Sequence, residues 1–507
     1  MKKARAWMWI AVLRCGLLAA SQAPADPPDE AAPAAAVTAA WGVAAAAVSG
    51  AEERPAEHGM EALERDAATP EGATVDEADG FFSIAQRRAL ADWFGDREQP
   101  WPGGGDWPAL EDGEAVRQAV DALWSIYREA ERSGPSHREL GPLPDVLDTS
   151  ASPSGGRPLQ MPGGMLTLGE YRMPFLLVRK ETAPPPAGGR ALYLCMHGGG
   201  ANPNADGPHA WPVNTREWQT QATLAARRHA GEGLYFVPRM PDDRRGRWWH
   251  AHIQEAFDRV IEHGLREWQV DPDRVFILGI SEGAFGTLIL APHMADRFAG
   301  ANAMAGGETD QVPAENLRNV ALRTDVGEND TMFNRVGLAR EYHARLEAAR
   351  GDYGGYVHYL NVQPGRGHAI DYTPGVEWMI RHRRDARPDT VVWTARPLDG
   401  RRRSAFYWLG LQPARPDQRV RLVGRLLPEQ NAVEIDAAPE LPEDSLEGAR
   451  VRVLLDDALL DLDREITVNL DGRRVFHGRA QRCLETLART LAERGDPRLA
   501  FPVEIEL

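Results

Sequence analysis

The sequence predicts an α/β protein with a doubly wound, mainly parallel sheet and helices on both faces. A helical region extends it at the N-terminus and a small, mostly β region at the C-terminus. Three observations predict this. Short apolar runs alternate with helical stretches over roughly 220 residues of the chain. One such run ends in Gly279-Ile280-Ser281-Glu282-Gly283, a Gly-x-Ser-x-Gly turn that leads into an Ala- and Leu-rich stretch. After Asp385 the strand signals become short and helical periodicity nearly disappears.

Taken in order, residues 1–23 read as an export signal. Lys2, Lys3 and Arg5 precede a mostly apolar run, and small residues follow at 19–23. The expected location is periplasmic or extracellular. Residues 24–80 are rich in Ala, Pro and acidic side chains; such a segment buries too little apolar surface to offset its ordering entropy and reads as a linker. No later segment is a clean 18-residue apolar run, so no membrane-spanning helix is expected.

Residues 81–154 read as helical. Phe82, Ile84, Leu90, Trp93 and Phe94 share one face of the first helix, 81–94. Val116, Val120, Leu123, Trp124 and Tyr127 share one face of the second, 115–132, and a polar loop follows at 133–154. The pair is expected to pack on the main domain, 155–385. There strands are expected at 166–179 (broken by Pro174), 190–196, 233–238, 274–279, 300–305, 321–327 and 355–362. The intervening helices fall at 215–230, 249–267, 281–294, 333–350 and 375–383. Residues 386–507 read as a β-rich domain with one helix, 480–494, and an Asp471-Gly472 hairpin turn.

A net charge of −16 disfavours a nucleic-acid partner, whose phosphates need a basic face. Cys15, Cys195 and Cys483 show no metal-ligand spacing, and the latter two read as unpaired thiols in packed positions. Neither a metal nor a cofactor is expected. Oligomeric state is left open.

Hydrolysis of an ester or amide needs a nucleophile, a base, an orienting acid and donors for the oxyanion. Ser281 is the nucleophile candidate. His197-Gly198-Gly199-Gly200 follows a buried strand; Gly198 or Gly199 would give one oxyanion N–H and Glu282 the second. The acid belongs to the loop after strand 321–327, where Asp330 is preferred over Asp325 and Glu328. His368, in the glycine-rich loop after the last strand of that domain, is the preferred base. His343, His358 and His382 fall within helix or strand patterns. The order Ser281, Asp330, His368 is the nucleophile–acid–base order of α/β-hydrolases.

The run Val270-Asp271-Pro272-Asp273-Arg274-Val275 leading into Gly-x-Ser-x-Gly resembles secreted esterases of the poly(3-hydroxybutyrate) depolymerase, feruloyl esterase and prolyl-oligopeptidase-like group of α/β-hydrolases. So do Met294-Ala295-Asp296-Arg297-Phe298-Ala299-Gly300, Ala305-Gly306-Gly307, Val326-Gly327-Glu328-Asn329-Asp330 and Gly367-His368. The resemblance covers about residues 165 to 385. It implies an α/β-hydrolase fold and serine hydrolase chemistry: cleavage of a small-molecule or polymeric carboxylic ester through a Ser-His-Asp triad and an acyl-enzyme. A peptidase of prolyl-oligopeptidase-like type and a non-catalytic binding protein on the same scaffold are the alternatives. Glu282 departs from the apolar, Gln or Met residue often found after the nucleophile. Its carboxylate would favour the helix N-terminus, disfavour anionic substrates or act on His368. Trp248 and Trp249 either wall the substrate cleft or serve packing.

Overall fold

A computed structural model describes residues 80–103, 106–147, 161–307, 311–440 and 446–507. The expected leader and the linker up to residue 79 lie outside the described residues. Three helices come first: α1 (Ile84–Gly95), α2 (Gly113–Ala130) and α3 (Pro135–Leu140). Ser83 and Gln86 close a capping box at the start of α1, and the Asp112 side chain caps α2. The third helix replaces the polar loop expected there. The Gly134-Pro135 pair is its local signal, since proline is tolerated at the first helical position.

An eight-stranded sheet follows. Its strands are β1 (Gly163–Leu168), β2 (Tyr171–Lys180), β3 (Arg190–Met196), β4 (Gly233–Pro238), β5 (Val270–Ile280), β6 (Gly300–Met304), β7 (Ala321–Gly327) and β8 (His358–Gln363). Their order across the sheet is β1-β2-β4-β3-β5-β6-β7-β8. The β1 and β2 strands pair antiparallel, as do β2 and β4; every other neighbouring pair is parallel. The signal expected as one interrupted strand at 166–179 is therefore a hairpin. It turns at Gly169, not at Pro174, which lies inside β2 opposite Met165.

The connecting helices are α4 (Pro212–Arg227), α5 (Ala251–Glu267), α6 (Glu282–His293), α7 (Arg335–Tyr353) and α8 (Thr373–Met379). Alternation along β3 decides which side chain meets which layer. Leu192, Leu194 and Met196 join Ile253, Phe257 and Val260 of α5 in one core. Ala191, Tyr193 and Cys195 join Ala222, Ala225 and Ala226 of α4 and Val376 of α8 in the other. Both faces of β3 are buried, which is why its sequence is a continuous apolar run.

Beyond Asp385 come β9 (Thr390–Ala395), β10 (Ala405–Phe406), β11 (Leu409–Gln412), β12 (Val420–Leu427), β13 (Ala432–Pro439), β14 (Arg450–Leu455), β15 (Ile466–Leu470), β16 (Arg473–Gly478), α9 (Leu484–Arg494) and β17 (Val503–Glu506). They make a five-stranded sheet, β16-β15-β13-β12-β9, and a four-stranded one, β10-β11-β14-β17. Asp471 and Gly472 both take positive φ at the β15–β16 turn, as an Asp-Gly hairpin requires.

The helical pair at the N-terminus packs mainly on the other end of the chain. Phe82, Leu90, Trp93, Phe94, Leu123 and Tyr127 share a core with Leu484, Leu487 and Leu491 of α9. Ile84, expected on the buried face, is instead 84% exposed. Cys195 is buried, whereas Cys483, expected in a packed position, is exposed; both are free thiols.

The far end of α9 is held by buried charge. Asp496 accepts from Arg384 at 2.7 Å and lies 3.7 Å from Arg297, all three being buried. Burial alone would raise the Asp496 carboxyl, but Arg384 and Arg297 outweigh it and hold it below the usual carboxylate range. A carboxyl depressed in the folded state stabilises above its unfolded pKa and loses that contribution as pH falls through the folded value. Asp496→Ala leaves two guanidinium groups buried without it. We expect a loss of about 3–5 kcal/mol in unfolding free energy at pH 7, measured by urea denaturation. The difference between variant and wild type should shrink as the pH falls below 4.

Candidate functional site

The site forms where β5 reverses into α6. Ser281 occupies the reversal with φ 55 and ψ −112, a region that a non-glycine residue rarely adopts. Holding it there costs about 1–3 kcal/mol, which the surrounding structure must over-determine. Two glycines make the turn sterically feasible. A Cβ on Gly279 would collide with the Gly283 carbonyl, and a Cβ on Gly283 with the carbonyls of Met196 and His197. The Ser281 N–H donates to the Met304 carbonyl of β6 at 2.9 Å, which ties the turn to the sheet.

Three predicted residues meet in one line. His368 Nε2 lies 3.1 Å from Ser281 Oγ, and His368 Nδ1 lies 2.8 Å from Asp330 Oδ2. Arg335, at the start of α7, donates to the other Asp330 oxygen at 3.0 Å. Burial opposes ionisation of Asp330, yet its hydrogen bond with His368 and the Arg335 guanidinium keep its carboxyl below the usual range. The rival acids are engaged elsewhere. Asp325 binds Arg323 through both oxygens, at 2.8 and 2.7 Å, and also accepts from Asn302 and Asn361. Glu328 accepts from the Gly365 N–H at 2.9 Å and so braces the loop that carries His368. Among the rival histidines, His343 bridges His358 and Thr324, and His382 lies against Trp378.

The strand order, the strained serine after β5, and the placement of Asp330 and His368 in the loops after β7 and β8 together decide the architecture. This is the α/β-hydrolase fold. No protein-family model and no curated protein matches the chain. Solved structures do. A thermostable esterase is 18% identical, with a TM-score of 0.34 over 44% of this chain and 63% of that one, less than two thirds of its length. A carboxylesterase from Mesorhizobium loti is 17% identical, with a TM-score of 0.30 over 43% of this chain and 97% of its own. A ferulic acid esterase from Anaeromyces mucronatus is 14% identical, with a TM-score of 0.30 over 44% of this chain and 89% of its own. At these values the fold assignment rests on topology, not on the matches.

The His197–Gly200 loop faces the serine from β3. A methyl group in place of a Gly198 hydrogen would stand 3.4 Å from the Ser281 Cβ. The Gly200 N–H is taken by Asn214 Oδ1 at 3.1 Å, which leaves Gly198 and Gly199 as the loop's candidate donors. The Glu282 N–H stands at the first position of α6, where a helix gives it no acceptor. His197 is fully buried; its Nε2 accepts from the Met240 N–H, and burial pushes its imidazole down to about 3. It is a neutral bracket between the loop and Met240.

Asn214 and Asp243 carry no motif in the sequence. Asn214 holds both the N–H and the carbonyl of Gly200 and donates to Asp243 at 2.7 Å; Arg239 grips Asp243 with two nitrogens. Such a long-range bracket has no fixed spacing to betray it.

Of the two roles open to Trp248, the structure shows packing. It is fully buried, its indole N–H donates to the His197 carbonyl at 2.9 Å, and its Cβ stands where a Gly286 side chain would go. With no exposed surface it cannot wall a cleft. Trp249 is half-buried, with the Arg247 guanidinium 5.9 Å above its ring. Arg247 in turn donates to Glu282 Oε2 at 3.1 Å. Burial raises the Glu282 carboxyl despite that partner.

No group of three or more His, Cys, Asp or Glu among the described residues is arranged to hold a metal ion. None of the described helices is long and apolar enough to cross a membrane. Asn214→Ala removes the Gly200 bracket and one Asp243 partner from a buried site. We expect it to lower unfolding free energy by about 1–3 kcal/mol, read from the midpoint of a urea titration.

Proposed function

We propose that the protein is a serine hydrolase that cleaves carboxylic esters through an acyl-enzyme, with Ser281 as nucleophile, His368 as base and Asp330 as the acid that orients it. The observation that carries this reading is the line Asp330–His368–Ser281, at 2.8 and 3.1 Å, built on a serine held at φ 55. His368 Nε2 takes the proton of Ser281 Oγ as the oxygen attacks the ester carbonyl carbon. The oxyanion is held by the backbone N–H of Glu282 and that of Gly198 or Gly199. The carbon–oxygen bond to the alcohol breaks, and His368 returns the proton to the leaving oxygen. Water, deprotonated by His368, then releases the acid and restores Ser281.

Asp330 keeps the imidazole in the tautomer that presents a lone pair to the serine and stabilises the imidazolium that forms. Arg335 prevents Asp330 from rotating away. An ester fits better than a peptide, because an alkoxide leaves with less protonation than an amine. Substrate is a small-molecule or polymeric ester. Export rests on the pattern of residues 1–23 alone.

Wild-type protein should react with a fluorophosphonate probe at Ser281 and hydrolyse p-nitrophenyl butyrate. Ser281→Ala should lose the label and at least about 10⁴-fold in kcat. A folded wild type that neither labels nor hydrolyses any ester would instead favour a binding protein on a hydrolase scaffold. Asp330→Asn should retain labelling at a reduced rate and lose about 10³–10⁴-fold in kcat.

A further inference from the structure

Glu217, on α4, has no role in the reaction just described, yet its carboxylate borders the nucleophile. A methyl group in place of a Gly198 hydrogen would lie 3.2 Å from Glu217 Oε2 and 3.4 Å from the Ser281 Cβ. Carboxylate and serine thus face the same small volume beside the oxyanion loop. Glu217 accepts no hydrogen bond from the described residues; its nearest cation is Arg216, whose Nε is 4.0 Å away on a side chain 59% exposed. Burial raises its carboxyl, opposed by Arg216 and His368.

A second, independent feature lies at the other end of the same loop. Glu282 is 9% exposed, and Arg247 reaches only its Oε2. Its Oε1 is buried with no hydrogen-bond partner. A methyl group on Gly200 would meet Oε2 of this carboxylate at 3.6 Å and Arg247 Nη1 at 3.7 Å, so the ion pair borders the loop. One carboxylate without a hydrogen-bond donor, Glu217, and one paired through a single oxygen, Glu282, therefore border the loop that carries the candidate oxyanion donors. Asp330, by contrast, is matched by Arg335 and His368. Desolvated negative charge without a partner is costly unless something positive arrives to match it. It also repels anions.

We propose that Glu217 is a specificity-determining residue: it selects esters that carry a fixed or protonated cationic group close to the scissile bond, with the Glu282 carboxylate adding to the same field. This deepens the esterase reading and rests on it. The substrate cation that Glu217 attracts is present in the ground state and in the transition state alike, so its mark is a preference between substrates.

The test uses isosteric pairs in which one atom changes from carbon to positively charged nitrogen. On the acyl side these are the p-nitrophenyl esters of trimethylglycine and of 3,3-dimethylbutyric acid. On the alcohol side they are butyrylthiocholine and its 3,3-dimethylbutyl analogue. The readout is the ratio of kcat/KM, cation to isostere, in full-length wild type and in Glu217→Gln. We expect the ratio to fall at least tenfold in Glu217→Gln for one pair, and the wild-type ratio to fall as ionic strength rises. A ratio unmoved in both pairs overturns the proposal, including the case where both members slow together, which would mark Glu217 as a positioning residue for His368. Hydrolysis of the neutral isosteres with no Glu217-dependent ratio defeats this inference alone. Failure to hydrolyse any member, with no fluorophosphonate label, defeats the esterase reading and this inference with it.

Discussion

The site depends on one close approach, that of the Gly279 backbone to the Gly283 carbonyl oxygen. Only with hydrogen at Gly279 can β5 reverse so tightly into α6. Only that reversal holds Ser281 at φ 55. Gly283 repeats the requirement against the Met196 and His197 carbonyls, which locks the turn onto β3. Ser281 and the His197–Gly200 loop are therefore parts of one rigid junction. Trp248 fills the space beside it and ties the His197 carbonyl from below. Precision at the reacting centre comes from backbone packed against backbone, which has few ways to relax.

Around this junction the buried charges come in matched sets. Asp330 sits between His368 and Arg335, Asp243 between Arg239 and Asn214, and Asp325 between Arg323 and two asparagines. Each carboxylate is desolvated, and each is repaid by directed donors. Glu217 and Glu282, beside the His197–Gly200 loop, are matched less fully: Glu217 accepts no hydrogen bond from the described residues, and Arg247 reaches one oxygen of Glu282.

The two ends of the chain support the sheet jointly. The α1–α2 pair buries its aromatic face on α9, and the turn after α9 returns Asp496 to Arg384 and Arg297. The same cluster binds Asp273 through Arg384 at 3.1 Å, beside the Asp271-Pro272 segment of β5. The β5 strand is thus held at its far end by Arg384, 111 positions later in the sequence, which Asp496 holds in turn.

The elements with local signals were legible in the sequence: β3 from its uninterrupted apolar run, α5 from apolar residues three and four apart, the β15–β16 turn from Asp-Gly. Ser281, Asp330 and His368 were legible too, because each occupies a loop at a strand's end and their order along the chain is constrained by the fold. The α3 helix and the β1–β2 turn were not. Six residues carry too little periodicity, and a lone glycine looks like any other beside a proline. What only the tertiary structure decided is which side chains share a volume. Trp248 and Trp249 are adjacent in sequence, yet one is sealed beneath the oxyanion loop and the other lies half-buried under Arg247. Asn214 and Glu217 lie on one helix with no motif about them, yet one fixes Gly200 and the other stands against Gly198. Sequence fixes chemistry and spacing along the chain; distance across it is set by how β3, β5 and α4 pack, and no local pattern encodes that.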